Sequence, residues 1–297
     1  MADNVFNLVS QDAYNAKMDQ LIAAIQSSSG GGSADALSCI HAQGAVPYGK
    51  ELEGTWAEIQ AKVQAGDFSG INIGDYKTIE LTTGETVICE VAGIDIHYNP
   101  SEGYYPCDQH HIDFISRDCI SGLDYVMYNS SGLNNGTSSQ KNPFMASELY
   151  QTLNNTESGL ITQLPEDLRA IIINKRALME QRYSSSSTEL TENTGWGWVN
   201  MGPLWLPTEY EVFGHCVWSD SKWGAGGGGC NIQYPIFQGG LKHILKGYGN
   251  GGGVDYWWLA SALAGDCYYF CLVGGDGCAL YFVANDGFLV PLCFRIG

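Results

Sequence analysis

The stretch that decides the fold lies near the end of the chain, Asp255-Tyr-Trp-Trp-Leu-Ala-Ser261 followed by Pro291-Leu-Cys-Phe-Arg295. Beyond Trp258 the chain contains no Lys, Glu, Gln, Trp or Met, although the preceding part holds all 8 Trp and all 6 Met. The Tyr, Phe, Leu, Val, Cys, Gly, Ala and Asp residues of this tail follow no steady period, as in Cys278-Ala-Leu-Tyr-Phe-Val283. Neither an amphipathic helix nor an alternating strand explains this pattern.

A genetic origin explains the missing residue types. When adenines of AAC-type Asn codons are replaced at random, the third base stays a pyrimidine, and codons for these five residue types cannot arise. The tail resembles the variable region of a protein diversified by a diversity-generating retroelement, in which a fixed frame such as Tyr256–Leu259 and Pro291–Arg295 carries scattered variable sites. The alternative is a Gly-rich terminal strand region whose composition arose by chance.

Motifs in the body of the chain extend the resemblance. They occur in the order Trp56, Ile73-Gly-Asp75, His110-His-Ile-Asp-Phe-Ile115, Asn142-Pro-Phe-Met145 and Leu204-Trp-Leu-Pro-Thr-Glu-Tyr-Glu-Val-Phe-Gly214. Together they resemble a domain family of gut bacteria and their phages that is similar to C-type-lectin-fold proteins of the formylglycine-generating-enzyme subtype. The resemblance implies one α+β domain of C-type lectin fold over residues 35–297, with its variable region at about 259–290.

The resemblance also divides the tail into frame and variable positions. The implied frame residues are Trp257, Trp258, Leu259, Phe270, Val273, Ala279, Ala284, Val290, Pro291 and Phe294. The implied ligand-binding, variable positions are Ala264, Asp266, Cys267, Tyr268, Tyr269, Leu272, Gly274, Gly275, Cys278, Leu280, Tyr281, Phe282, Val283, Asn285 and Asp286. Tyr and Phe side chains offer large contact areas at low entropic cost, as they do in paratopes. The alternative is that alternate members of this set face the core.

Potential metal ligands are densest at Asp108-Gln-His-His-Ile-Asp113. His110, His111 and Asp113 have suitable side chains, but neighbouring residues on a strand point to opposite faces. We therefore predict a structural role for this cluster. Calcium-dependent sugar binding needs several clustered oxygen ligands, and the chain lacks a Glu-Pro-Asn or Gln-Pro-Asp signature. We expect no metal and no cofactor.

Cysteine catalysis is the enzymatic alternative. Formylglycine-generating enzymes use a cysteine pair to oxidise a substrate thiol, and Cys271 and Cys278 lie in the corresponding terminal region. A reactive thiolate needs a nearby cation or helix start, and the tail offers only Arg295 and no His. No Gly-x-Ser-x-Gly elbow of a serine hydrolase occurs either. We therefore expect no catalytic residues and no enzymatic activity.

Composition restricts the partners and the location. The formal net charge of −18 disfavours nucleic acid and anionic membrane surfaces, because affinity for both rests on cationic side chains. No apolar run approaches the ~20 residues that span a bilayer, and the start of the chain lacks the pattern of a secretion signal. We expect synthesis in the bacterial cytoplasm, no membrane insertion, and mostly reduced cysteines.

The first residues are predicted to form a separate element. Residues 5–26 place apolar side chains on one helical stripe, and Ser27-Ser-Ser-Gly-Gly-Gly-Ser33 is typical of a flexible tether. An isolated helix of this length is marginally stable in water. We therefore predict that residues 1–26 form a homo-oligomer, such as a trimer, or dock to a larger assembly, and that residues 27–34 link them to the domain.

Local patterns in the domain predict regular elements. Helices are expected at 55–67, 146–153 and 165–173, and a β-hairpin at 76–92.

Together with the tail, these features predict a ligand-binding or receptor-binding protein that recognises a protein or glycan on a host-cell surface. The expected carrier is a phage tail within a virion assembled in the bacterial cytoplasm, and a bacterial cell surface is the alternative location. A formylglycine-generating-enzyme-like cysteine oxidase and an invariant structural tail protein are the competing functions.

Overall fold

The structure is a computed structural model, and it describes residues 49–98, 107–121, 125–128, 136–182, 195–220, 232–249 and 253–297. These residues form a mixed α/β structure of mostly antiparallel sheets, one of them curled, with few and short helices. The predicted N-terminal helix at 5–26 and the linker at 27–34 lie outside the described residues. No helix in the described part is long and apolar enough to cross a bilayer.

The strands of the described residues are numbered in chain order. They are β1 Tyr76–Glu80, β2 Thr86–Ile94, β3 Ile112–Cys119, β4 Tyr125–Val126, β5 Ile172–Ile173, β6 Arg176–Gln181, β7 Gly195–Asn200, β8 Lys246–Gly247, β9 Val254–Asp255, β10 Trp257–Ala262, β11 Tyr269–Val273, β12 Ala279–Val283, β13 Gly287–Phe288 and β14 Pro291–Ile296. Helices span Trp56–Gln64, Glu148–Asn154, Glu166–Arg169, Glu209–Phe213, Pro235–Gln238 and Leu241–Ile244, with a 3₁₀ helix at Leu160–Gln163.

The largest sheet contains five strands in the order β1-β2-β3-β14-β5. Its interior strand β14 is buried at every position. Phe114 of β3 and Phe294 of β14 stack with ring centroids 5.1 Å apart, and Trp56 meets both rings edge to face. Such aromatic packing stabilises the core beyond the area that it buries.

The first helix forms as the sequence predicts. Thr55 caps it, because the Thr55 hydroxyl accepts from the Glu58 N–H while the Glu58 carboxylate accepts from the Thr55 N–H. Trp56, Ile59 and Val63 are buried on one face. After the helix, Gly66 adopts φ +68°, a left-handed conformation that glycine tolerates best.

Three other local predictions have mixed outcomes. The hairpin is confirmed, since β1 pairs antiparallel with β2, and the helix near 146–153 is found at Glu148–Asn154. The predicted helix at 165–173 is wrong beyond Arg169. Its β-branched end, Ile172–Ile173, instead forms β5 and pairs with β14. β-branched residues favour strands, and pairing with the interior strand β14 overrides a weak local helix preference.

The candidate metal cluster contributes to the core. Asp113 forms a fully buried ion pair with Arg295 of β14, with Oδ1 2.6 Å from Nε and Oδ2 2.8 Å from Nη2. The Tyr234 hydroxyl also donates to Asp113, at 2.9 Å. His110 pairs with Asp95, while both ring nitrogens of His111 lie 2.9 Å from backbone carbonyl oxygens. Within the described residues, no group of three or more His, Cys, Asp or Glu is arranged to hold a metal ion.

Candidate ligand-binding surface

The tail forms a second sheet of three strands, in the order β10-β11-β12. The indole N–H of Trp257 donates to the Ile244 carbonyl at 2.9 Å, and that of Trp258 donates to the Tyr125 carbonyl at 2.8 Å. Both rings are fully buried. These bonds satisfy polar groups that would be costly to bury alone, and they fix β10 to the body of the domain.

The frame positions implied by the resemblance are buried with one exception. Trp257, Trp258, Leu259, Phe270, Val273, Ala284, Val290, Pro291 and Phe294 all lie in the interior, and Ala279 is half-buried. Phe270 through Val273 are buried at every position, so β11 is covered on both of its faces. The sheet is therefore anchored through β10 and β11, and β12 is its edge strand.

Strand β12 is exposed on both faces. Tyr281 and Phe282 are consecutive residues, so their side chains point to opposite sides of the sheet, and their exposed fractions are 38% and 44%. The Tyr281 ring meets Tyr269 edge to face at 5.5 Å. Phe282 meets Phe288 in the same manner at 5.1 Å. The edge strand thus presents one aromatic group on each face of the sheet.

Tyr268 lies in the turn between β10 and β11 and is half exposed, at 50%. Arg182 holds this turn in place, because its Nη1 donates to the carbonyl oxygens of Leu263 and Asp266, each at 2.8 Å. Arg182 is itself buried and ion-paired with Glu180. A turn fixed by a buried guanidinium presents Tyr268 from a defined position.

The variable positions implied by the resemblance divide into three groups. Those at the surface are Ala264, Tyr268, Gly275, Cys278, Tyr281, Phe282 and Asn285. Those that are half-buried are Asp266, Tyr269, Leu280, Val283 and Asp286. The structure buries the remaining ones, Cys267, Leu272 and Gly274.

The expectation that all these positions face outward is wrong for the buried three. Leu272 lies on the central strand β11, between Trp258 of β10 and Leu280 of β12. Cys267 is only 6% exposed. A side chain at Gly274 would approach Leu280 and Asp276 within 3 Å. These positions support the surface and do not themselves offer contact area to a ligand.

Trp218 belongs to the same surface although it precedes the tail. Its indole N–H donates to the Ala279 carbonyl at 2.8 Å, and its ring lies 4.8 Å from that of Tyr281. The buried Glu209 carboxylate holds the loop by accepting from the backbone N–H groups of Val217, Trp218 and Ser219 at 2.9–3.0 Å. Sequence reasoning missed Trp218, because a single Trp in a loop carries no periodic signal.

Tyr256 and Phe288 extend the surface on its other side. Tyr256 is 40% exposed, and its ring lies 5.8 Å from Phe288, which in turn contacts Phe282. Tyr281 with Trp218, and Phe282 with Phe288 and Tyr256, therefore form groups of contacting rings along β12. Exposed apolar groups in contact with one another indicate an interaction site.

The tail segment contributes acidic side chains and no exposed cation. From Gly247 to Phe294 the chain contains Asp255, Asp266, Asp276 and Asp286, with no Lys, Arg, Glu or His. The flanking cations Lys246 and Arg295 are both buried.

The two tail cysteines are poorly suited to nucleophilic chemistry. Cys271 is fully buried, and burial raises the pKa of its thiol well above the usual range. Cys278 is exposed, and its hydrogen bond to the Asp276 carboxylate raises its pKa. A reactive cysteine needs a lowered pKa, so both environments favour the unreactive thiol.

No model of a known protein family matches the chain, and comparison with curated proteins and with solved structures also gives no match.

Proposed function

We propose that the chain is a retroelement-diversified ligand-binding protein whose domain has the C-type lectin fold. The observation that carries this proposal is the division within the tail. The aromatic frame residues Trp257, Trp258 and Phe270 are fully buried, whereas Tyr268, Tyr281 and Phe282 are 38–50% exposed. Random replacement of exposed side chains costs little stability, while replacement of core side chains is usually destabilising. A surface of this kind tolerates diversification.

One further feature supports recognition as the activity. The surface joins variable positions to fixed aromatic groups such as Trp218, which is held by a buried carboxylate. Large and rigid aromatic groups provide most of the binding energy in many protein interfaces. The interior position of β14 in the five-stranded sheet and the separate tail sheet support the C-type lectin fold.

The proposed setting is a phage tail that attaches to a protein or glycan on a host-cell surface. In this proposal residues 1–26 assemble several copies, and avidity raises the strength of weak single contacts. Attachment then takes place outside the cell, after virion assembly in the bacterial cytoplasm. Display on a bacterial cell surface is the other setting that the same binding activity fits.

The first test is the DNA beside the gene. We expect a near-copy of the segment that encodes the tail, with adenines at the codons of Tyr268, Tyr281 and Phe282, together with a reverse-transcriptase gene. Sequencing the locus in related isolates should show replacements at these codons and constancy at Trp257 and Trp258. A locus without a template copy, and with an invariant tail, would indicate the structural tail protein instead.

The second test is attachment. Labelled full-length protein is incubated with a panel of gut bacteria, and bound label is measured for the native chain and for the triple variant Tyr268→Ala, Tyr281→Ala and Phe282→Ala. We expect the triple variant to lose attachment. The control is Tyr76→Ala on β1, at the far edge of the five-stranded sheet, which should attach normally. Equal attachment by the triple variant and the native chain would contradict the proposed site.

A further inference from the structure

Some backbone N–H and C=O groups of the edge strand β12 point away from its own sheet. In an antiparallel pair, residues alternate between those that exchange hydrogen bonds with the partner strand and those that do not. The N–H of Ala284 donates to the Tyr268 carbonyl, and the N–H of Gly274 donates to the Cys278 carbonyl. Because the pattern repeats at every second residue, Phe282 and Leu280, which lie between these two bonded ends, also exchange backbone hydrogen bonds with β11. The N–H and C=O groups at positions 279, 281 and 283 therefore face outward.

Two of these outward carbonyls are occupied by the protein itself. The Ala279 carbonyl accepts from the Trp218 indole at 2.8 Å, and the Val283 carbonyl accepts from the Asp286 N–H at 3.1 Å. Within the described part of the chain, no such partner is shown for the N–H of Ala279, the N–H and C=O of Tyr281 or the N–H of Val283. The free groups of Tyr281 and Val283 lie between the two occupied carbonyls of the edge.

These free groups match one residue of an extended partner strand. A residue opposite Tyr281 can accept from the Tyr281 N–H and donate to the Tyr281 carbonyl, and a further partner carbonyl can accept from the Val283 N–H. Main-chain pairing at a sheet edge is a known mode of peptide recognition. Because it uses no side-chain atoms of β12, the pairing persists when the side chains at 281–283 are replaced.

The charge around the edge indicates the chemistry of the partner. The segment from Gly247 to Phe294 contributes four aspartates and no cationic residue, and the Arg182 guanidinium that contacts this segment is buried and ion-paired with Glu180. Hydrogen bonds from the Cys278 backbone and side chain hold the pKa of Asp276 below its usual value, so this carboxylate stays ionised at neutral pH. A partner with Lys or Arg complements this field, and its cations can also lie over the exposed Tyr and Phe rings.

We propose that β12 binds an extended polypeptide segment of the ligand, rich in Lys or Arg, by adding it as a fourth strand beside Tyr281. This inference rests on the proposed function and narrows the ligand to a basic protein segment. The part of the affinity that comes from backbone pairing stays the same when the side chains of β12 are replaced. The part that comes from the side chains on the two faces of β12 changes with each replacement.

The test uses full-length protein and a displayed library of random linear peptides. Val283→Pro removes the outward N–H without breaking a bond to β11, because proline is tolerated where the strand N–H faces solvent. Val283→Ala is the matched control, since it loses the same side chain and keeps the N–H. Selection on the native chain should enrich peptides with Lys or Arg and strand-favouring residues. A selected peptide is then measured against both variants.

We expect Val283→Pro to weaken the peptide affinity by about tenfold, since one hydrogen bond is lost and a partner carbonyl is left unpaired. Val283→Ala loses the same side chain, so Val283→Pro should bind the peptide about tenfold more weakly than Val283→Ala, and N-methylation of one peptide amide should weaken binding to the native chain similarly. Equal affinities of Val283→Pro and Val283→Ala would overturn the inference. So would enrichment of acidic peptides, or binding on a glycan array with no peptide enriched.

The two proposals can fail separately. If the triple aromatic variant loses host-cell attachment but Val283→Pro retains it, the proposed recognition function stands and the strand-pairing inference falls. If the locus carries no template copy and the triple variant still attaches, the proposed function falls. The comparison of peptide affinities between Val283→Pro and Val283→Ala tests strand pairing independently of that result.

Discussion

The indole N–H of Trp218 donates to the carbonyl oxygen of Ala279 at 2.8 Å, and this bond joins a fixed loop to the first residue of the exposed edge strand. The same ring meets Tyr281 edge to face at 4.8 Å. A residue outside the tail therefore shapes the surface that we propose for ligand binding. On that proposal, specificity depends on the loop as well as on the predicted variable positions.

Replacement of Trp218 should weaken ligand binding more than folding. Trp218→Ala removes the bond to Ala279 and the contact with Tyr281, and we expect a loss of about 1 kcal/mol in the free energy of unfolding, because the ring is 38% exposed. Host-cell attachment should fall strongly. Trp218→Phe, which keeps an aromatic ring without the N–H, should retain more attachment than the alanine variant. Equal attachment by all three chains would exclude Trp218 from the site.

Glu209 should control the order of the Trp218 loop. Glu209→Gln keeps the shape of the side chain but replaces one acceptor oxygen with a donor, so the N–H groups of residues 217–219 lose part of their bonding. Hydrogen exchange followed by mass spectrometry should show faster exchange in a peptide covering 217–219. The peptide covering β3, which does not contact this carboxylate, should exchange at the native rate.

Replacements at buried and at exposed members of the predicted variable set should differ in their effect on the free energy of unfolding. Tyr268→Ala, Tyr281→Ala and Phe282→Ala should each change the free energy of unfolding by less than about 1 kcal/mol. Leu272→Ala should cost about 2–5 kcal/mol, because it leaves a cavity under both neighbouring strands. Urea unfolding followed by circular dichroism measures these differences. A large loss for Tyr281→Ala would show that it is a core residue.

The buried pair of Asp113 and Arg295 should make stability depend on pH. Burial raises the pKa of Asp113, but the ion pair with Arg295 outweighs burial and holds the pKa below its usual value. The carboxylate therefore contributes stability that is present above the unfolded-state pKa of about 4 and is lost as pH falls through the lower folded-state value. Unfolding measured between neutral and strongly acidic pH should show this decline.

Asp113→Asn tests the origin of that decline. Near neutral pH it should cost about 3–5 kcal/mol, because an uncompensated guanidinium remains buried. The difference in stability between native chain and variant should shrink at acidic pH, where the native carboxylate is protonated. The double variant Asp113→Asn with Arg295→Met should be more stable than Asp113→Asn alone, since it removes the unpaired charge. A difference that is independent of pH would contradict this assignment.

Local elements were predictable where the signal lay within a few residues. The helix at Trp56–Gln64 carries its own cap in Thr55 and its own stop at Gly66, and the hairpin carries a turn between two strand-like runs. The segment at 165–173 was mispredicted because its last residues pair with β14, more than a hundred positions away. No local pattern contains that partner.

By itself, the sequence determined the residue types of the tail, the contrast between its Trp-rich frame and its scattered aromatic positions, and the absence of cations from Gly247 to Phe294. Only the tertiary structure decided that Leu272 is interior while Tyr281 lies on an open edge, and that Trp218 joins the same surface. The physical reason is that exposure depends on which strands lie side by side. That arrangement is set by packing between residues far apart in the chain, whereas composition and local pattern are properties of the chain alone.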